Sequence, residues 1–181
     1  MQGVRTKNGI LWNGSTVPVL VLDLDGTIRY SKNGNKFIEG PDDVAIYDGA
    51  EAKIKEYKYK GFLIFGASNQ AGVAFGFKTH KQVMAELDAT FELLPGVFDS
   101  VKQCYHHGGE GTSFPLNKRS LLRKPDYGML VLMESEAFES GYLVDWDNSL
   151  FVGDRPEDQE CAINARIPFM WAWDFFGREK P

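Results

Sequence analysis

Asp23 and Asp25 stand one residue apart in the stretch Val19-Leu20-Val21-Leu22-Asp23-Leu24-Asp25-Gly26-Thr27. Two carboxylates this close repel each other unless a cation lies between them. Three later positions carry complementary chemistry: Ser68-Asn69, Lys124 and Asp154. Three carboxylates with few neutralising partners favour a hard cation such as Mg²⁺. A hydroxyl, an amide and an ammonium suit the oxygens of a phosphate. Together these groups describe phosphoryl transfer to a carboxylate nucleophile. Each residue also has a plainer reading. Asp25-Gly26 is a common turn dipeptide, Ser68 could cap a helix, and Lys124 could be a solvated loop charge.

The elements around these residues decide whether they can meet. The apolar run over 18–24 predicts a buried central strand. Residues 26–47 lack a helical period and read as a flap or loop. Asp48 is placed to cap a helix bearing Ala50, Ile54 and Tyr57, which stops at Gly61. Phe62-Leu63-Ile64-Phe65 predicts a second buried strand, ending at Gly66-Ala67-Ser68-Asn69-Gln70. Thr79 with Gln82 forms a capping box for a helix with Val83, Met84, Leu87, Phe91 and Leu94 on its core face. A strand over 97–105 precedes a long loop over 106–124. Asp126 is placed to cap a helix with Met129, Leu130, Leu132, Met133 and Phe138. Ser149 to Val152 predicts a strand ending at Gly153-Asp154, a helix follows from Pro156, and Ile167 to Trp171 is the last strand. A short strand at Ile10-Leu11-Trp12 completes the pattern. Strands alternate with helices, so the fold class is α/β, a single-domain Rossmann-like parallel sheet with helices on both faces and no large cap domain. In such a sheet the chemistry-bearing positions all reach the carboxyl edge.

The chain has 181 residues, 43% hydrophobic and 25% charged, which suits one globular domain. The expected divisions are an N-terminal segment over 1–17, the domain over 18–176 and a tail over 177–181. A net charge of −5 argues against broad non-specific binding to nucleic acid. Two cysteines, Cys104 and Cys161, make no disulfide scaffold. Neither a signal-peptide core nor a membrane-length apolar run is present, so a cytoplasmic location is expected.

The ordered pieces Asp23-Leu24-Asp25-Gly26-Thr27, Ser68-Asn69-Gln70, Arg123-Lys124-Pro125 and Gly153-Asp154-Arg155-Pro156-Glu157-Asp158 resemble the haloacid dehalogenase superfamily of phosphatases. The resemblance runs over about residues 18–176. It implies that Asp23 attacks phosphorus and that Asp25 serves as general acid and then base. It implies Mg²⁺ held by Asp23, the Asp25 backbone carbonyl and Asp154, with Asp158 supporting the metal shell. Ser68 and the Asn69 backbone would bind the phosphate, Lys124 would balance its charge, and Arg123 would join them at the substrate. An acid at position 158 is also ordinary chemistry for the first turn of a helix.

Asn69-Gln70-Ala71-Gly72-Val73 with Gly76, and Arg123-Lys124-Pro125 with Gly128-Met129, are similar to the capless group containing histidinol-phosphate, heptose bisphosphate and polynucleotide 3′-phosphatases. Cys104-Tyr105-His106-His107 is similar to the start of the zinc loop in the sugar- and histidinol-phosphate enzymes. No cysteine follows between 107 and 124, so the zinc ligand set is incomplete. The segment from Cys161 to Phe169, with Phe175-Phe176, looks more like the polynucleotide enzymes. There Lys118, Arg119, Arg123 and Lys124 could meet a nucleic-acid backbone, and Trp171 and Trp173 could stack on a base or simply pack. Ser68 stands where threonine is commoner, and Arg155-Pro156 after Asp154 is unusual. The expectation is a phosphomonoester hydrolase for a small phosphorylated sugar, polyol or related metabolite. The alternatives are hydrolysis at a nucleic-acid 3′-phosphate end and a non-catalytic binding protein. Oligomeric state is left open.

Overall fold

The computed structural model describes residues 16–180, together with the backbone of a strand pair at Val4–Arg5 and Leu11–Trp12. Numbering in chain order, those two are β1 and β2, antiparallel to each other. Ile10, expected in the same strand as Leu11, lies outside the described residues. The following strands are β3 (Thr16–Val17), β4 (Val19–Leu22), β5 (Arg29–Ser31), β6 (Val44–Ile46), β7 (Leu63–Asn69), β8 (Ser100–Cys104), β9 (Leu143–Val144), β10 (Leu150–Gly153) and β11 (Phe169–Trp171). The helices are α1 (Ala50–Tyr59), α2 (His80–Leu93), α3 (Gly128–Glu139), α4 (Pro156–Ala165) and α5 (Ala172–Phe176).

Five parallel strands form the central sheet in the order β11-β10-β4-β7-β8. β4 lies in the middle because all four of its side chains are apolar and fully buried. Alternation then sends Val19 and Val21 to one face and Leu20 and Leu22 to the other. Val19 and Val21 join Phe65, Phe151, Met129 and Met133 under α3 and α4. Leu20 and Leu22 join Ile64, Val152, Ile54, Leu87 and Phe175 under α1, α2 and α5. Burying each such side chain contributes roughly 1.5–3 kcal/mol, so both faces are covered for a physical reason. The α/β expectation with helices on both faces therefore holds.

The differences are local. The segment over 26–47 is not a bare loop: β5 and β6 pair antiparallel, and a 3₁₀ turn at Pro41–Asp43 closes the hairpin. Asp43 organises this flap, accepting hydrogen bonds from Ser31 Oγ and from the backbone N–H groups of Asn33 and Glu39. Asp48 does not cap α1; the N-cap is Gly49, left-handed at φ 76°. Asp126 does not cap α3 either. The N-cap is Tyr127, while the Asp126 carboxylate accepts from Arg119. The Thr79–Gln82 capping box forms as expected. β3 and β9 make a small parallel pair that periodicity did not indicate. Among the described residues, no helix is long and apolar enough to cross a membrane.

Candidate active site

β4, β7 and β10 end side by side, and each delivers polar residues to the same edge. Asp23 follows β4 directly, with its N–H donating to Val152 O at 3.0 Å. Ser68 and Asn69 are the last residues of β7, and Asp154 comes immediately after β10. The loop from Asp25 to Arg29 turns on Gly26, at φ 85°. A Cβ on Gly26 would collide with the Asp154 carboxylate, so the two loops approach as closely as glycine permits. Thr27 Oγ1 donates to Asp154 Oδ1 at 3.3 Å across that contact.

Asp23, Asp154 and Asp158 bring carboxylate oxygens within 4.8 Å of one another. One ammonium serves this group. Lys124 Nζ donates to Asp23 Oδ1 at 2.5 Å and to Ala67 O at 2.6 Å, and lies 2.7 Å from Asp158 Oδ1. Lys124 and Asp158 are both buried. Burial works against the Lys124 ammonium, but Asp23 and Asp158 outweigh it and hold its pKa above the ordinary value. Burial lifts the Asp23 carboxyl well above the usual range; Asp158, Asp154 and Asp25 add to the lift, and Lys124 opposes it. Asp154 is raised by burial and then by Asp158. Lys124 faces Asp23 and Asp158, and the Arg155 guanidinium reaches Asp154 only at 4.0 Å, so the three acids keep a negative excess, and a divalent cation fits that donor set.

Asp158 Oδ2 accepts from the Arg155 N–H at 3.1 Å, while Oδ1 forms an ion pair with Lys124 at 2.7 Å and accepts no hydrogen bond. Asp158 therefore braces Lys124. Asn69 braces it from the other side, because its side-chain amide donates to Lys124 O and its carbonyl accepts from Lys124 N, both at 3.0 Å. The Asn69 carboxamide is thus engaged with protein, leaving its backbone for any ligand. Arg123 is drawn towards the 106–122 loop, donating to His106 O at 3.4 Å.

Asp25 is held differently. Arg29 donates to it twice, Nε to Oδ1 at 2.9 Å and Nη2 to Oδ2 at 3.2 Å. Gln70 Nε2 donates to Oδ2 at 2.5 Å, and Ser68 Oγ donates to the same oxygen at 3.3 Å. Burial pushes the Asp25 carboxyl up, but Arg29 and Gln70 outweigh it and hold the pKa below its ordinary value. Sequence reasoning missed Arg29 as a partner of Asp25 and gave Gln70 no task beyond a motif match. The i, i+4 spacing of Asp25 and Arg29 was the available signal, but it carries weight only on a helix.

Among the described residues, the aspartate cluster alone combines three or more potential ligands at metal spacing. Cys104 is buried, and His107 Nδ1 accepts from the Gly109 N–H. Trp171 and Trp173 stack on each other at 4.7 Å.

A parallel sheet with four acids, a buried lysine and a hydroxyl at its carboxyl edge defines a phosphatase of the haloacid dehalogenase type. The family model for polynucleotide kinase 3 phosphatase matches residues 18–176. The chain belongs to that family. A D-glycero-beta-D-manno-heptose-1,7-bisphosphate 7-phosphatase from Yersinia pestis is 30% identical over 155 residues, covering 84% of this chain and 78% of the relative. A HAD-like phosphatase from Mesorhizobium loti superposes with a TM-score of 0.72 at 28% identity, covering 84% of this chain and 70% of that one. The D,D-heptose 1,7-bisphosphate phosphatase from B. bronchiseptica, solved with magnesium and phosphate, shares the fold. Its TM-score is 0.63 at 23% identity, covering 86% of this chain and 79% of that one.

Proposed function

We propose that this phosphatase hydrolyses a phosphomonoester through an aspartyl-phosphate on Asp23, with Mg²⁺, and that its substrate is a small phosphorylated sugar, polyol or related metabolite. The observation that carries this reading is the buried Asp23–Lys124 pair, at 2.5 Å, inside the cluster of three carboxylates. Asp23, the Asp25 backbone carbonyl and Asp154 would hold the metal, with Asp158 behind them. When bound, Mg²⁺ would neutralise charge between the anionic nucleophile and the anionic phosphate. It would also offset the burial that raises Asp23, favouring the ionised nucleophile.

The residues then divide the work. Asp23 attacks phosphorus, the bond from phosphorus to the ester oxygen breaks, and that oxygen takes a proton from Asp25. Water next attacks the phosphorus, Asp25 receives its proton, and the bond to Asp23 breaks to release inorganic phosphate. At rest Arg29 favours ionised Asp25; the approaching phosphate, a like charge, pushes the carboxyl back towards the protonated form. Ser68 and the backbone of Asn69 would orient the phosphate oxygens. Lys124, fixed by Asp158 and Asn69, would balance their charge.

The relatives named as heptose bisphosphate phosphatases support a sugar phosphate. A second reading, hydrolysis at a nucleic-acid 3′-phosphate end, is favoured by the family's own description and by exposed Phe114 with Lys118 over its ring. Phosphate release is measured with Mg²⁺, and in parallel with EDTA, from sugar and polyol phosphates and from a 3′-phosphorylated oligonucleotide. Mg²⁺-dependent release from the panel alone supports the first reading. Release from the oligonucleotide alone replaces it with the second.

A further inference from the structure

Arg29 is a fully buried guanidinium in the flap, outside every motif that the phosphoryl-transfer reading uses. Burying a charge is costly, and an apolar residue would fill the same space more cheaply. Its contacts show where the charge is directed. On one side it makes the two bonds to Asp25. On the other, Nη1 donates to Thr90 Oγ1 at 2.8 Å and to Glu86 O at 3.2 Å, both on α2. Thr90 is itself buried and donates to Glu86 O, so it offers Arg29 a fixed acceptor. The backbone closes the same loop: Gly26 N–H donates to Arg29 O, and Arg29 N–H donates to Leu24 O.

We propose that Arg29 is a positioning residue that locks the Asp25 carboxylate for proton transfer and leaves Oδ1 as the oxygen that exchanges the proton. This rests on the reading of Asp25 as general acid and base. Each carboxylate oxygen offers about two lone pairs. Oδ2 receives Gln70 Nε2 and Arg29 Nη2, which fill it even when the Ser68 hydroxyl turns from it to a phosphate. Oδ1 receives only Arg29 Nε among these donors. The Asp25 side chain is still 36% exposed, so it is gripped from behind and open in front. The rigid body behind the grip is α2, tied to Arg29 through two residues one turn apart. Misplacing a catalytic group by about 1 Å can cost about 10²-fold in rate.

The test uses two aryl esters that differ in leaving group, phenyl phosphate and p-nitrophenyl phosphate. Phenolate, whose conjugate acid has a pKa of about 10, needs a proton as it departs, and p-nitrophenolate needs it far less. Leaving-group release in the first turnover with Mg²⁺ is measured for wild type, Arg29→Gln, Arg29→Lys, Thr90→Val and Asp25→Asn, each checked for folding by circular dichroism. The expected result for Arg29→Gln is about 10²-fold slower release of phenol, with p-nitrophenol release and KM little changed. Arg29→Lys should recover part of the loss, and Thr90→Val should show the same asymmetry more weakly. Equal losses on both esters, or a loss confined to KM, overturn the proposal. If Arg29→Gln does not fold, Arg29→Lys and Thr90→Val decide: folded variants of both with no asymmetry overturn it. Asp25→Asn separates the underlying reading. If it treats both esters alike, Asp25 is not the proton donor, whatever the Arg29 variants do.

Discussion

Lys124 Nζ lies 2.5 Å from Asp23 Oδ1, with the lysine side chain 2% exposed and the aspartate 9%. These residues are about a hundred positions apart, so the contact depends on the whole sheet closing correctly. The ammonium also serves Asp158 and the Ala67 carbonyl. It therefore links the ends of β4 and β7 to the start of α4.

Replacing Lys124 by methionine keeps the stem and removes the charge, leaving Asp23 and Asp158 buried and unpaired. Breaking a buried pair in this way costs about 3–5 kcal/mol. Urea unfolding in EDTA should show a loss of that order. An unchanged midpoint would mean that the lysine carries no part of the cluster's stability.

The carboxylate cluster should also report on metal. A ligand bound by the folded state alone stabilises it, by about 2.7 kcal/mol at a hundred times its dissociation constant. Thermal unfolding of wild type should therefore shift upward as Mg²⁺ is added. Asp154→Asn should lose most of that shift, because it removes one of three acids and leaves Lys124 paired. The same melting series in EDTA provides the baseline.

Cys161 makes a prediction away from the chemistry. It is a buried residue of α4, and burial pushes its thiol up to about 12 from 9.0. The folded state thus holds this proton more tightly than the unfolded chain. The linked contribution to stability is intact below pH 9.0 and is lost as pH rises from there towards about 12. At pH 8 a thiol-specific disulfide reagent should react with neither cysteine in the native protein and with both after unfolding. Rapid reaction of native Cys161 would contradict its placement.

Much of this architecture could be read from the chain, and the exceptions share a cause. Val19 to Leu22 is apolar on every residue because β4 is covered on both faces, and that pattern survives without knowledge of the partners. Asp23, Ser68 and Asp154 were legible because each follows an apolar run, and strand ends in a parallel sheet share an edge. Arg29 was not legible. A lone arginine in a segment without periodicity reads as solvated charge, and its burial exists only because α2 packs over the flap hairpin. The task of Asn69 was hidden for a similar reason, since its amide is used by a loop that arrives fifty-five residues later. The caps expected at Asp48 and Asp126 failed because the neighbouring residues took the role: left-handed Gly49 for α1 and Tyr127 for α3. Asp126 was bound to Arg119 instead.

The central claim is that Asp23 is the nucleophile, and the most direct measurement is phosphate release by wild type and Asp23→Asn at saturating Mg²⁺, on whichever substrate the panel identifies. Asp23→Asn conserves shape, so folding and melting temperature provide the control. Removing a nucleophile that forms the covalent intermediate should abolish turnover, with a loss of at least about 10⁴-fold. A folded Asp23→Asn protein that releases phosphate at the wild-type rate would contradict the account.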